Sequence, residues 1–273
     1  MLELEHGFRI VDVHARLEPD GPEASARGHA ISPDRLERQM HQAGVVRSIV
    51  FPGERPGQGY LRANNAVARM CVDRPFVAFA RIDGPRSPGS GPTARVRNVA
   101  ARRAEWHVTP DDVERFGYDD RFHGFSLDPA ADGLPDEPVI DRLEDVGLPL
   151  LVRGGVAFSP SELAETLLGR GFPVIVAHFG GHPLHRGLMA KTVDLLDRFD
   201  ECYLDTSAVR YRKPLERALR EHPDRVLFGS GAPAVHPNVA VMEILTLDVP
   251  EDAMKKAFSK NGERVVAALE PGT

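Results

Sequence analysis

Ionisable side chains cluster at the ends of short apolar runs: His14 and Arg16 after "RIVDV", Arg81 in "FVAFAR", Asp128 after "HGFSL", Arg153 in "LPLLVR", His178 in "PVIVAH" and Asp205 in "CYLD", with Ser230 closing "RVLFGS". Imidazole changes charge near neutral pH, so His14 and His178 are candidate general acids or bases. Asp205 would orient one of them or serve as the base itself. Guanidinium stays charged and presents a planar fork of donors, so Arg16 and Arg153, with Arg81 and Ser230 beside them, are candidates for gripping an acidic substrate and stabilising an enolate or oxyanion. Each residue singly has a bland reading: His178 as a hydrogen-bonded core histidine, Asp205 as a helix cap, Arg153 as a surface cation. Their recurrence at equivalent places favours a site. Strict alternation along "RIVDVHARL" sends Ile10, Asp12, His14 and Arg16 to one side of a strand, which would let Asp12 pair with Arg16.

The elements that must position these groups are legible as eight strand candidates: "FRIVDVH", "VRSIVF", "FVAFARI", "HGFSL", "LPLLVR", "PVIVAH", "CYLDTS" and "RVLFGS". Amphipathic helical stretches lie between them, such as those beginning at Ser32, Ser159 and Arg212, two of which open with Ser-Pro as cap and first turn. Strict alternation in this length predicts an α/β fold, a (β/α)8 TIM barrel forming one domain over 1–273. An open doubly wound sheet would show a Gly-rich turn after its first strand, and "DVHARLEPDG" has none. In such a barrel the strand ends carry the chemistry. The Pro/Gly-rich stretch Gly84 to Asn98 reads as a mobile surface loop, with a lid as the alternative, ahead of a helical insertion before the fourth strand.

Bulk composition narrows the partners. The 273 residues are 42% hydrophobic and 27% charged with a net charge of -6 and no like-charge block, which points away from nucleic acid and membrane surfaces and toward a small molecule. Cys71 and Cys202 lie outside any CxxC spacing, so neither a disulfide framework nor a thiolate metal site is indicated. The acidic start "MLELE" lacks the basic region of a signal peptide, and a cytoplasmic location is expected. Self-association into a homo-oligomer is left open.

The phrases "IVDVHARL", "FVAFARID", "HGFSLDP", "PVIVAHFGGHP", "CYLDTSAV", "RVLFGSGAP" and "NGERVVAAL" follow one another in an order that resembles the amidohydrolase superfamily, within it the amidohydrolase-2 group of metal-dependent TIM-barrel hydrolases and decarboxylases. The resemblance implies a divalent ion held by His-x-His on strand one, a His on strand five, a His on strand six and an Asp on strand eight. His14 and His178 match two of these positions. The others are filled by Arg16, by Arg153 in "VRGG" and by Gly231 in "GSGAP". Two histidines without a carboxylate bind zinc or manganese poorly, and two fixed positive charges oppose a cation, by roughly 4 kcal/mol for like charges some 4 Å apart at an effective dielectric of about 20.

The expectation is therefore a degenerate site with no metal cofactor, in which arginine charge replaces the ion. An alternative retains a divalent metal such as zinc by recruiting His182, His185 or Asp205. By analogy with the family, the expected activity is metal-independent hydrolysis of a C-N or ester/lactone bond in a small carboxylate-bearing substrate. Non-oxidative decarboxylation by a lyase is the second reading. A third, from another class, is an inactive barrel that binds a ligand or partner protein.

Overall fold

The computed structural model describes residues 6–18, 31–54, 57–89 and 91–271. The acidic start at residues 1–5, Pro19 to Gly21 after the first strand, and Ser90, about which the sequence raised expectations, lie outside them.

Eight strands, all parallel, form one sheet in chain order: β1 (Ile10–Leu17), β2 (Val45–Pro52), β3 (Phe76–Ile82), β4 (Phe122–Leu127), β5 (Leu150–Gly155), β6 (Val174–His182), β7 (Cys202–Asp205) and β8 (Val226–Leu227). The chain just past β8 returns to β1. The Val13 amide donates to the Phe228 carbonyl, the Gly231 amide to His14 and the Arg16 amide to Ala232, each at 2.9 Å. The sheet thereby closes into a (β/α)8 barrel, and every predicted strand is present.

Helix signals in the sequence act where expected. Ser32 caps the helix Pro33–Gln42, which buries Leu36 and Met40 one turn apart, and Ser159 with Glu162 forms a capping box on Pro160–Thr166. Side chains divide into two layers. Val11, Val13, Ile49, Val77, Phe79, Leu151 and Ile175 fill the barrel with Val266 and Leu269 from the C-terminal segment, whereas Ile10, Ala15 and Leu17 pack outward with helical residues such as Leu36 and Met40.

That division breaks the alternation expected for β1. The register against β2 slips between Asp12 and Ala15, so Val13 and His14 both face the barrel side while Ala15 turns outward. Asp12 consequently does not pair with Arg16. Its carboxylate accepts the His14 amide at 3.0 Å, the Ser230 amide at 2.8 Å and the Ser230 hydroxyl at 2.6 Å.

The stretch after β3 is anchored rather than loose. Arg86 and Leu134 exchange backbone hydrogen bonds at 3.0 and 2.7 Å, Asn98 brackets Ser87 through both its side-chain atoms, and a helix runs over Pro92–Ala100. No described helix is long and apolar enough to cross a membrane.

Candidate active site

At the C-terminal end of the strands, His14 Nδ1 meets Asp205 Oδ2 at 2.7 Å, with both side chains buried. The Asp205 carboxylate accepts from the His14 Nδ1–H, which leaves Nε2 as the remaining polar atom of a ring that lines a cavity. Gly229 permits this approach, because a Cβ there would lie 3.1 Å from both Asp205 Cγ and His14 Cβ. The other Asp205 oxygen accepts the His178 amide at 3.0 Å, the Ser207 amide at 2.8 Å and the Ser207 hydroxyl. Burial alone would raise the Asp205 pKa. The neighbouring His14 outweighs it, with help from His178 and Ser207, and holds the carboxyl below its usual range.

His178 sits at φ +57°, a left-handed conformation that is costly for a side-chain-bearing residue and that the hydrogen bond its backbone N–H donates to Asp205 Oδ1 helps to hold. Its Nδ1 donates to the Ser207 carbonyl at 2.9 Å, and its ring centroid lies 5.1 Å from that of His14. Burial and the His14 charge push its pKa down to about 3.

This has a measurable consequence. In the unfolded chain imidazole titrates near about 6.5. Below that pH the unfolded chain binds a proton that the fold refuses, so stability present above it is lost as pH falls toward the folded value. At pH 5 the expected loss relative to His178→Gln is about 2 kcal/mol, set by the unfolded value because the folded one lies lower. Urea denaturation at pH 7 and pH 5 reads it, and an unchanged gap between wild type and variant would contradict it.

The three candidate arginines do converge, but each meets a carboxylate. Arg81 Nε pairs with Asp132 at 2.9 Å, its Nη1 donates to the Pro52 carbonyl at 3.1 Å, and its guanidinium lies 5.1 Å over the Tyr60 ring, whose hydroxyl bonds Asp132. Arg153 Nη1 is 2.5 Å from Asp128 Oδ2 and 3.4 Å from Glu54 Oε1, and Arg16 Nη1 is 3.7 Å from the same Glu54 oxygen. Burial and Arg153 lower the Arg16 pKa, as two close like charges should. Arg16 and Arg153 thus flank one oxygen of the exposed Glu54, at distances looser than a good charged hydrogen bond.

Ser230 is misplaced as a substrate ligand. Its hydroxyl is fully buried behind β1 and committed to Asp12, whose own pKa burial raises to about 6. His14, Arg81 and Arg153 instead border a cavity of about 290 Å³, open mouth included, with Phe51, Leu151 and Ala177 as apolar walls. Asp128, which the sequence places among the polar strand ends after the fourth strand, borders it too, as does Ser126, which was not a candidate from sequence. A signal for Ser126 was available: it is polar, two residues before Asp128, at the end of an otherwise apolar strand. Glu54, Asp132 and Ser207 gave none, since their roles depend on partners far along the chain.

The side chains do not fit the divalent ion that the resemblance implies. Both oxygens of Asp205 are engaged, Asp128 and Glu54 face arginines, and the exposed His185 accepts the Leu188 amide as a helix cap. His182 stacks 5.2 Å from His178, within reach of Arg153 charge. Gly231, at the position matched to the aspartate, has φ +72°, and a Cβ there would lie 3.3 Å from Ser207 Cβ. Among the described residues no three His, Cys, Asp or Glu are grouped to hold a metal.

A family model described as amidohydrolase matches residues 11–267. No curated protein matches by sequence. Among solved structures, an uncharacterised TIM-barrel protein from Bordetella bronchiseptica is 18% identical, with 96% of this chain and 99% of that one covered at a TM-score of 0.66. The 5-carboxyvanillate decarboxylase of Novosphingobium aromaticivorans, solved with manganese and a nitrobenzoic acid, is 15% identical over 97% and 99% of the two chains at 0.67. A dihydroxybenzoic acid decarboxylase from Polaromonas, solved with manganese and 2-nitroresorcinol, is 16% identical over 97% and 98% at 0.67. At these identities the likeness concerns the fold.

Proposed function

The chain belongs to the amidohydrolase family, and from that premise we propose that it is an enzyme that decarboxylates a small carboxylic acid by acid-base chemistry, without a bound metal. The observation that carries this reading is the His14–Asp205 pair, 2.7 Å apart, opening on a small apolar slot with arginines at its polar end. The decarboxylase neighbours support the reaction class alone, since both were solved with manganese.

Substrate anion displaces Glu54 from between Arg16 and Arg153, exchanging loose ion pairs for bidentate ones. Phe51, Leu151 and Ala177 offer an apolar face to the hydrocarbon part of the substrate. Protonated His14, with Asp205 as counter-charge, delivers its Nε2 proton to the carbon that bears the carboxylate. The C–C bond then breaks, carbon dioxide leaves, and the electron pair returns to the substrate skeleton, so that hydrogen has replaced the carboxylate. His14 regains its proton from solvent. Arginine charge at the slot stabilises oxygen atoms on which negative charge collects.

Hydrolysis, placed first from the sequence, requires a water activated by a base. His178 is poorly suited, since a ring with a pKa near 3 holds a proton weakly. His14 backed by Asp205 has the form of such a base, and this is the one observation that favours the hydrolytic reading. Incubating the protein with a panel of small aromatic and unsaturated carboxylic acids separates the two. Carbon dioxide release with one-for-one substrate loss is expected; ester, lactone or amide cleavage without carbon dioxide would overturn the lyase assignment.

A further inference from the structure

One wall of the cavity carries polar atoms that the mechanism above does not use. Ser126 and Arg81 are Cα partners across β3 and β4, and Asp128 follows Ser126 by two residues, so the strand period directs all three side chains to the same face. They are only 3%, 3% and 4% exposed, yet all three border the cavity. Each has one atom without a hydrogen-bond partner among the described residues: Arg81 Nη2, Ser126 Oγ and Asp128 Oδ2. Asp128 Oδ2 does touch Arg153, so its charge is balanced although its hydrogen-bonding capacity is not. Buried polar atoms are ordinarily paired, and three left over on one cavity wall mark a place for a ligand.

Arg81 Nη2 and Asp128 Oδ2 stand 3.9 Å apart, too far to bond each other and close enough for one oxygen to bridge. That oxygen must accept from the guanidinium and donate to the carboxylate. A hydroxyl does both. A second carboxylate could accept from Arg81 and Ser126 but would face the Asp128 charge, and an apolar group would leave the Arg81 and Ser126 atoms unpaired. Charge agrees, because Arg16, Arg81 and Arg153 are matched in number by Glu54, Asp128 and Asp132, so that one anionic group displacing Glu54 leaves no cation over for another.

We infer that Arg81, Ser126 and Asp128 form a subsite for a neutral hydroxyl group of the substrate, which is therefore a hydroxy acid held at two points. The assignment rests on the proposed arginine anchor for the acid group. Calorimetric titration of the whole protein with benzoate, the three monohydroxybenzoates and phthalate tests it. One hydroxybenzoate is expected to bind about tenfold or more tightly than benzoate, a hydrogen-bonding gain of ordinary size. Ser126→Ala, with thermal unfolding as the check on its fold, is expected to shrink that preference several-fold and to leave benzoate affinity unchanged. Equal binding of all four monocarboxylates, or a preference that Ser126→Ala leaves intact, would assign these atoms to solvent and overturn the subsite alone. Tighter binding of phthalate would replace the hydroxyl by an anion. Failure of every acid to bind would remove the arginine anchor, and the subsite with it.

Discussion

Asp205→Asn is expected to lower kcat by about 10²- to 10⁴-fold, the range over which positioned acid-base groups and their orienting carboxylates act. The asparagine keeps an oxygen for the His178 amide and for the Ser207 amide and hydroxyl, so the local fold survives. What changes is the atom facing His14 Nδ1 at the 2.7 Å contact, from an anion that accepts to an amide that donates. The ring then carries its proton on the wrong nitrogen, and its cationic form has lost its counter-charge. Since neither change touches the arginines, KM for the acid should move little. A variant with unchanged kcat, or one whose whole defect lies in KM, would remove His14 and Asp205 from the chemistry.

A second large effect concerns metals, and here the expected result is indifference: chelation should leave turnover intact, and added zinc or manganese should not raise it. Two imidazoles offer a divalent ion too few donors. A single guanidinium about 4 Å from a divalent cation opposes it by roughly 8 kcal/mol at an effective dielectric of about 20, twice the value for two unit charges, and two such groups stand at this mouth. Glu54 and Asp128 offset part of that repulsion while being held by the arginines themselves. Loss of activity on chelation that manganese restores would show that an ion is bound in spite of these charges.

Much of the molecule was legible because its signals are local. Eight β-branched runs, Ser-Pro caps and the position of polar residues at strand ends depend on neighbours in sequence, and they located His14, His178, Asp205 and the three arginines. The failures share a different cause. Asp12 was assigned to Arg16 because alternation is a rule of unbroken strands, and a register slip against β2 cannot be seen in β1 alone. Ser230 sits at a strand end like the others, but closure of the barrel brings it behind β1 to Asp12, 218 residues away. Glu54 lies in a Pro/Gly-rich turn that resembles any surface loop, and only the folded barrel brings it to Arg16 and Arg153. The stretch from Gly84 looked loose by composition, while its partner, Leu134, lies on the far side of the helical insertion.

The claim on which the account turns is that side-chain charge stands where the family resemblance implies an ion. Plasma mass spectrometry on protein purified without added metal or chelator, repeated after soaking in zinc and in manganese and desalting, tests it without knowledge of the substrate. The account predicts a stoichiometry near zero in all three samples. About one tightly held ion per chain would contradict it and return His14 and His178 to the role of metal ligands.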